Sequence, residues 1–154
     1  MNKKDLLTTS DSHTLEHINE VRKNIWKLIR ELDTRGQIHD ASKFQSPERE
    51  IFAANFEKLA KTVYGSPEYQ KLKDEVQVAI DHHYSRNRHH PEHFTNGMHE
   101  MDLVDVIELL SDWTAATKRN KNGNIHKSID FNTPKYNIPP MLAQIMRNTV
   151  NRYF

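Results

Sequence analysis

The chain of 154 residues contains no cysteine, only four glycines and six prolines, and no long run of apolar residues. Without cysteine, the chain cannot form disulfides, thiolate zinc sites or cysteine-bound iron–sulfur clusters. No segment approaches the ~20 consecutive apolar residues of a membrane span. Residues 1–10 also lack the apolar run of a signal peptide. We therefore expect a cytoplasmic protein that does not associate with membranes.

A strong excess of charge of either sign is also missing, because 22 basic and 21 acidic residues give a net charge of +1. This balance gives no general affinity for nucleic acid. A local basic stretch at residues 118–121 leaves nucleic acid open as a partner, but it is not favoured. The length predicts one domain over residues 1–154, with residues 1–10 as a flexible N-terminus. The sequence assigns no oligomeric state.

Apolar residues recur every three or four positions, and no alternating pattern typical of a strand is present. We therefore predict an all-α fold, a single-domain bundle of about six helices. The first helix should run from about Ser12 to Asp33 with one apolar stripe. The remaining predictions are a short helix or turn at 37–44, helices at 47–61, 67–84, 100–118 and 139–153, an irregular loop at 85–99 and a polar loop at 125–137.

Histidine is the residue type that the chain has in excess. The sequence contains ten histidines, about three times the number expected from an ordinary usage of ~2%. Five of them lie between His82 and His93, and none forms a terminal run of the kind used as a purification tag. This clustering indicates a site in which imidazoles have a role.

The adjacent pair His39 and Asp40 can supply one imidazole nitrogen and one carboxylate oxygen to the same ion. Lys43 follows one helical turn later, where it could reach a phosphate oxygen beside that ion. Taken alone, the pair is weak evidence for such a site, and a simpler interpretation fits it better, namely a helix-terminal dipeptide followed by a solvated lysine. His17 lies near the edge of the stripe on the first helix, a position typical of a hydrogen-bonded core histidine.

His82 and His83 end the predicted helix at 67–84, and Arg86, Arg88 and the segment 89–93 (HHPEH) follow in the loop. Histidines at a helix end and in the next loop can surround one ion, and arginines suit anionic oxygens. The alternative is a polar loop whose histidines cap the helix.

Acidic residues at positions 105, 108 and 112 share one face of the helix predicted at 100–118. Apolar side chains lie beside them, and a buried acid is costly without a partner. Metals and histidines are suitable partners, and Glu108 could orient a ligand histidine. The alternative is an acidic face that points into water.

The order of these residues resembles that of the HD-domain superfamily of metal-dependent phosphohydrolases. That order is His17, then His39 and Asp40, then His82 and His83, then Asp112. Three motifs are also similar to those of an uncharacterised HD-like family of phages and bacteria, namely HDxSKF at 39–44, HHPEH at 89–93 and DWxAA at 112–116. The resemblance covers residues 17 to about 150 and implies a protein of a bacterium or a phage-infected bacterium. This sequence lacks the Gly-Tyr-Pro element of the HD-GYP branch of the superfamily. The resemblance therefore does not imply the hydrolysis of cyclic dinucleotides.

The resemblance implies one or two divalent ions of manganese, iron, cobalt, nickel or zinc. The implied ligands of the primary metal site are His17, His39, Asp40 and Asp112. His83, with His82 or His90 as alternates, would hold a second ion or a substrate phosphate. Lys43 would hold the phosphate, with Arg86 and Arg88 as further substrate-binding residues. Lys43, Asp40 and Glu92 are the catalytic candidates, and the role of Glu92 stays open.

The resemblance implies an enzyme that hydrolyses a nucleotide or related small phosphate ester with a metal-activated water. Two alternatives remain open. One is an HD-fold di-iron oxygenase, and the other is a non-catalytic protein that keeps its metal for structure or partner binding. A nuclease with a histidine-rich ββα motif is disfavoured because residues 82–93 contain no alternation that predicts a hairpin.

Overall fold

A computed structural model describes residues 3–62, 66–119 and 121–154 of the chain. Within these ranges the regular structure is helical and contains no strand, which confirms the all-α prediction. None of the helices in these ranges combines the length and apolar character needed to cross a bilayer. The described α-helices are α1 (Lys3–Ile38), α2 (Glu48–Lys61), α3 (Pro67–Glu75), α4 (Gln77–Arg86), α5 (Leu103–Lys118), α6 (Ile125–Lys135) and α7 (Pro140–Tyr153).

The chain divides into two compact units, Met1–Gln37 and Ile38–Phe154. The first unit is α1, which is longer than predicted at both ends and includes most of the segment that we predicted to be flexible. Two side-chain pairs four residues apart support its last turns: Arg35 bonds Glu31 at 3.0 Å and Gln37 bonds Asp33 at 2.9 Å. Such pairs stabilise a helix locally, so α1 continues through Gly36 to Ile38. The prediction of a single domain stays a prediction.

The core of the second unit lies among α5, α6 and α7. Leu109 of α5, Ile129 of α6 and Met146 of α7 are almost completely buried. Their burial fixes the orientation of α5, since its apolar face is turned into the core. The same helix carries Glu108 and Asp112, so the core positions the acidic residues.

Helix α6 corrects our prediction of a polar loop at 125–137. Asn124 caps it by accepting a hydrogen bond from the Lys127 N–H at 3.1 Å, and Ile129 is fully buried. Asn132 and Thr133 donate to main-chain carbonyls one turn earlier. Tertiary packing of one apolar face stabilises a helix that composition alone does not predict.

The predicted helix at 67–84 is two helices, because the backbone departs from helical angles at Val76. Ser66 caps α3 by accepting from the Tyr69 N–H at 3.1 Å. Val76 has φ −107° and ψ 12°, and its side chain is almost fully buried. In the segment predicted as an irregular loop, the chain forms short 3-10 helices at Pro91–His93 and Gly97–Glu100. A further 3-10 helix spans Ala41–Phe44.

Candidate metal centre

Four side chains of the second unit converge on one point. One donor atom from each of Asp40, His83, His89 and His90 lies within 4.8 Å of the others. Asp40 Oδ1 is 3.2 Å from His83 Nε2 and 3.5 Å from His89 Nε2. His83 Nε2 is 2.9 Å from His90 Nε2. We call these four residues the metal cluster.

Three short segments bring the metal cluster together. Asp40 precedes the 3-10 helix Ala41–Phe44 and has left-handed backbone angles of φ 58° and ψ 16°. Such a conformation is uncommon outside glycine, and strained residues concentrate at functional sites. His83 lies in the last turn of α4, and a turn closed by His90 N–H and Asn87 O at 3.2 Å folds the following histidines back toward it.

Two buried atoms of the metal cluster lack hydrogen-bond partners. They are Asp40 Oδ1 and His89 Nε2, and His89 is only 1% exposed. A buried polar atom without a partner costs about 1–3 kcal/mol. A cation bound between these atoms would satisfy both of them, so the residues present fit a metal ion.

The buried carboxylate of Glu48, which is 0% exposed, contacts two neighbouring histidines. Its Oε1 lies 2.7 Å from His82 Nδ1 and its Oε2 lies 2.9 Å from His83 Nδ1. An ionised carboxylate can only accept, so each Nδ1 donates its proton. In the neutral imidazole this leaves Nε2 with a free lone pair, which is the form that binds a metal.

Asn87 strengthens the assignment of the His83 tautomer. Its side-chain amide donates to Ser42 Oγ at 2.8 Å and to the His83 carbonyl at 2.7 Å. Both amide protons are therefore engaged, although the amide nitrogen also lies 3.1 Å from His83 Nδ1. Ser42 Oγ lies 3.3 Å from His83 Nδ1 and Glu48 Oε2 lies 2.9 Å from it, so Glu48 is the nearer and the charged acceptor for the Nδ1 proton.

Glu108 of α5 holds a second pair of histidines in the same way. Its Oε1 lies 2.9 Å from His39 Nδ1 and 3.1 Å from His89 Nδ1. These three residues also form a group whose donor atoms could surround an ion. Because both distances are those of hydrogen bonds to Nδ1, we assign Glu108 to positioning the two imidazoles, with each Nε2 left for an ion.

His39 and Asp112 form a second set of donors beside the metal cluster. His39 Nε2 is 3.6 Å from Asp112 Oδ1 and 3.6 Å from Asp40 Oδ2. Asp40 therefore presents one carboxylate oxygen to each set. Lys43 bonds Asp40 Oδ2 as well, which places its ammonium group at the edge of the site.

Neighbouring charges and burial shift the pKa values of two histidines, His39 and His90, in opposite directions. The Asp112 carboxylate, and after it that of Glu108, raise the pKa of His39 to about 10. Burial, reinforced by the neighbouring His89 and His83, lowers the pKa of His90 to about 3. His90 is therefore neutral at physiological pH, as a metal ligand must be, whereas His39 would have to release the proton on its Nε2 before it could bind an ion.

The carboxyl groups are held ionised despite their burial. Burial alone would raise each pKa, but contacts with His83 and Lys43 keep the pKa of Asp40 well below its usual range. Contacts with His39 and His89 lower the pKa of Glu108 to about 2. His82, Ser42 and His83 lower the pKa of Glu48, and His39 lowers that of Asp112. The site thus presents fixed negative charge to a cation.

A comparison with known proteins gives a family without an assigned activity. The model of the family of unknown function DUF5662 matches residues 7–152. The chain belongs to this family. No curated protein matches the chain, and no solved structure matches it.

Several predicted site residues of this DUF5662 member lie at or beside the metal cluster. The second unit brings together His39, Asp40, His83, His90, Asp112 and Lys43. His82 shares Glu48 with His83 but does not belong to the group of four. His17 lies on α1 in the first unit, and its side chain is exposed.

The predicted substrate-binding arginines differ in their surroundings. Arg88 forms a two-point salt bridge with the buried Asp105, at 3.2 Å to Oδ1 and 3.0 Å to Oδ2, and its guanidinium lies over the Phe94 ring. Arg86 is exposed in the last turn of α4. Glu92 accepts a hydrogen bond from the Tyr136 hydroxyl at 2.8 Å. The geometry thus gives Arg88 and Glu92 protein partners of their own.

Two residues of the DUF5662 site escaped our prediction. His89 belongs to the metal cluster, whereas we predicted only its neighbour His90 as a ligand. The HHPEH motif contained the signal, but adjacent histidines cannot be separated by spacing. Glu48 carried no signal, because an acid in the first turn of a helix is explained by the helix dipole.

Proposed function

We propose that this chain is a metal-dependent hydrolase of phosphate esters of the HD type. The observation that carries the proposal is the metal cluster, in which three imidazole nitrogens and one carboxylate oxygen face one another inside the protein. Two of these atoms are buried without partners. This donor set suits manganese, iron, cobalt, nickel or zinc better than calcium or magnesium.

The geometry supports one ion at the metal cluster and leaves donors for a second. His39 Nε2, Asp112 Oδ1 and Asp40 Oδ2 would hold the second ion. Asp40 would then bridge the two ions with its two oxygens. The role of His17 as a metal ligand stays a prediction.

The phosphate half of the proposal rests on Lys43 and on the resemblance to HD phosphohydrolases. A divalent ion supplies Lewis acidity, which activates water and polarises a phosphoryl oxygen. Lys43 is partly exposed beside Asp40, where its ammonium can bind an anionic oxygen of the substrate and stabilise charge that develops on it. Arg88 is held at two points by Asp105, whereas Lys43 bonds Asp40, a residue of the metal cluster itself. Lys43 is therefore the cation that the geometry favours for this role, with Arg86 as the second candidate.

Metal analysis tests the site directly. We expect purified protein to contain about one or two transition-metal ions per chain, and Asp40→Ala or His39→Ala to lose them. Asp81→Ala and His99→Ala alter exposed residues of the same types and serve as matched controls. Unchanged metal content in both site variants, with the fold intact by circular dichroism, would refute the site.

Activity is tested with nucleoside monophosphates, triphosphates and cyclic nucleotides in the presence of each candidate metal. We expect release of phosphate or ring opening that depends on the metal. Lys43→Ala should lower turnover while metal content is retained, and Lys71→Ala, an exposed lysine of α3, should leave both unchanged. A metal-loaded protein that turns over no substrate of the panel would favour a non-catalytic metal-binding protein.

The abundance of imidazole supports one second candidate, a di-iron oxygenase. His39, His83, His89 and His90 together with two aspartates make a nitrogen-rich donor set that suits iron. Oxygen uptake by the iron-loaded protein would point to this function. The phosphohydrolase remains the better supported proposal because Lys43 places a cation for a phosphate at the edge of the site.

A further inference from the structure

Ser42 is the buried residue of the HDxSKF motif, and neither metal binding nor phosphate binding uses it directly. It lies in the 3-10 helix Ala41–Phe44, two residues after Asp40. Its Oγ is 3.3 Å from His83 Nδ1. The proton of His83 must stay on that nitrogen if Nε2 is to bind an ion. Ser42 therefore lies beside the atom that decides whether His83 can be a ligand.

The buried side chain of Asn87 presents a competing donor to the same nitrogen. Its amide nitrogen lies 2.7 Å from the His83 carbonyl. A carbonyl can only accept, so the nitrogen of the amide, and not its oxygen, faces His83. The second amide proton has two acceptors within reach, Ser42 Oγ at 2.8 Å and His83 Nδ1 at 3.1 Å. If Nδ1 accepted it, His83 would have to carry its own proton on Nε2.

Ser42 Oγ is the nearer of these two acceptors, so it holds the amide proton of Asn87 away from His83. The hydroxyl proton of Ser42 is then left for Glu48. The distance of 3.3 Å to His83 Nδ1 is long for a hydrogen bond, and donation by Ser42 helps to lower the pKa of the Glu48 carboxyl. Ser42 thus accepts from Asn87, donates to Glu48 and leaves Glu48 as the acceptor for the Nδ1 proton.

We propose that Ser42 is a positioning residue for the metal site, which keeps the proton of His83 on Nδ1 by accepting the competing proton of Asn87. The two neutral tautomers of His83 carry the same charge and differ only in which nitrogen has the proton. The effect on metal affinity rests on the proposed metal site. The position of the proton does not, because it can be measured in the metal-free protein.

Ser42→Ala tests this role, because it removes the acceptor of the Asn87 proton and a buried donor without a partner is costly. In the metal-free variant we expect part of the His83 population to carry its proton on Nε2. Histidine ¹⁵N spectra show this tautomer, and the His83 signals are identified by their loss in His83→Gln. Metal affinity, measured by calorimetric titration, should fall about 10-fold.

Two controls accompany this variant. Ser42→Thr keeps the hydroxyl and should match the wild type in both measurements. Ser85→Ala should do the same, because it removes an exposed hydroxyl of α4 that donates to the His82 carbonyl. Circular dichroism confirms that each variant is folded. If Ser42→Ala does not fold, Ser42→Cys takes its place, since a thiol is a weak acceptor.

A double variant separates this role from a simple loss of packing. Asn87→Leu removes the competing amide, so Ser42→Ala/Asn87→Leu should recover most of the affinity that Ser42→Ala loses, whereas two losses of packing would add. An unchanged His83 tautomer in Ser42→Ala, or a double variant that binds metal no better than Ser42→Ala, would overturn the proposal. A wild-type protein that binds no metal would refute the metal site instead, and the His83 tautomer in Ser42→Ala would still decide the role of Ser42.

Discussion

Two carboxylates of the second unit, Glu48 and Asp105, are equally buried but are bound by different kinds of side chain. Each is 0% exposed and lies in the first turn of its helix. Asp105 is bound by the guanidinium of Arg88 and accepts from the Asp102 N–H at 3.0 Å. Glu48 is bound by His82 and His83.

The difference between these partners separates a structural ion pair from a candidate metal site. Arginine is permanently charged and donates both bonds to Asp105, so that pair is complete. Each imidazole bound to Glu48 has a second nitrogen, which the carboxylate leaves unprotonated. A buried acid that binds histidines therefore prepares ligands for a cation, whereas one that binds arginine stabilises the fold.

The largest effect on stability should come from Asp105→Asn. The amide cannot accept two charged hydrogen bonds, so we expect a loss of about 3 kcal/mol in the free energy of unfolding. Metal affinity should not change. Urea unfolding and calorimetric metal titration measure the two quantities. Asp102→Asn is the control, because asparagine also caps helices. A parallel loss of metal affinity in Asp105→Asn would remove the distinction between the two acids.

Glu48→Gln should act on the metal instead. The glutamine NH₂ cannot accept a hydrogen bond from Nδ1. The imidazole that faces it must therefore carry its proton on Nε2, the nitrogen needed by the ion. We expect metal affinity to fall about 10- to 100-fold, and ¹⁵N spectra of the metal-free protein should show a changed histidine tautomer. Glu50→Gln, an exposed neighbour on α2, should change neither. If His82 and His83 both keep the proton on Nδ1 in Glu48→Gln, Glu48 does not set their tautomers.

Contacts between carboxylates and histidines should also respond to pH, whereas the pair of Asp105 and Arg88 should not. The pKa of His39 is raised to about 10 in the folded protein, against about 6.5 in the unfolded chain. Its stabilisation is therefore fully present below pH 6.5 and is lost as the pH rises to 10.

We expect the stability difference between metal-free wild type and His39→Gln to shrink by about 1 kcal/mol from pH 6 to pH 10, a value reduced for partial exposure. Arginine side chains are protonated throughout this range, so the effect of Asp105→Asn should stay constant. Chemical unfolding at several pH values measures both. A constant effect of His39→Gln would contradict the raised pKa.

The smallest effect should come from a third carboxylate, Glu92, whose contact with Tyr136 lies at the surface. Tyr136→Phe removes the hydroxyl but retains the ring that stacks on Trp113. We expect a loss of about 0.5–1 kcal/mol with unchanged metal affinity. Thermal unfolding measures the first quantity. A large loss of turnover in Tyr136→Phe would support a catalytic role for Glu92.

Local patterns predicted the helices with continuous apolar faces and the order of the candidate ligands. They failed at α6, where one buried isoleucine and a capping asparagine outweigh a polar composition. They also failed at Val76, because a break of one residue between two helices leaves the periodicity of the apolar residues unchanged. The C-terminal boundary of α1 lies beyond the predicted one because the side-chain pairs Glu31–Arg35 and Asp33–Gln37 extend the helix locally.

By itself, the sequence determined which types of donor atom the chain can offer to an ion. It has no thiols, it has ten histidines, and its His-Asp pair and HHPEH motif supply nitrogen and oxygen donors. Only the tertiary structure decided which donors meet and which nitrogen each one offers. Glu48 is 35 residues from His83 and Glu108 is 69 residues from His39. The state of an imidazole depends on the group that contacts its other nitrogen, and at these separations the fold alone sets that contact.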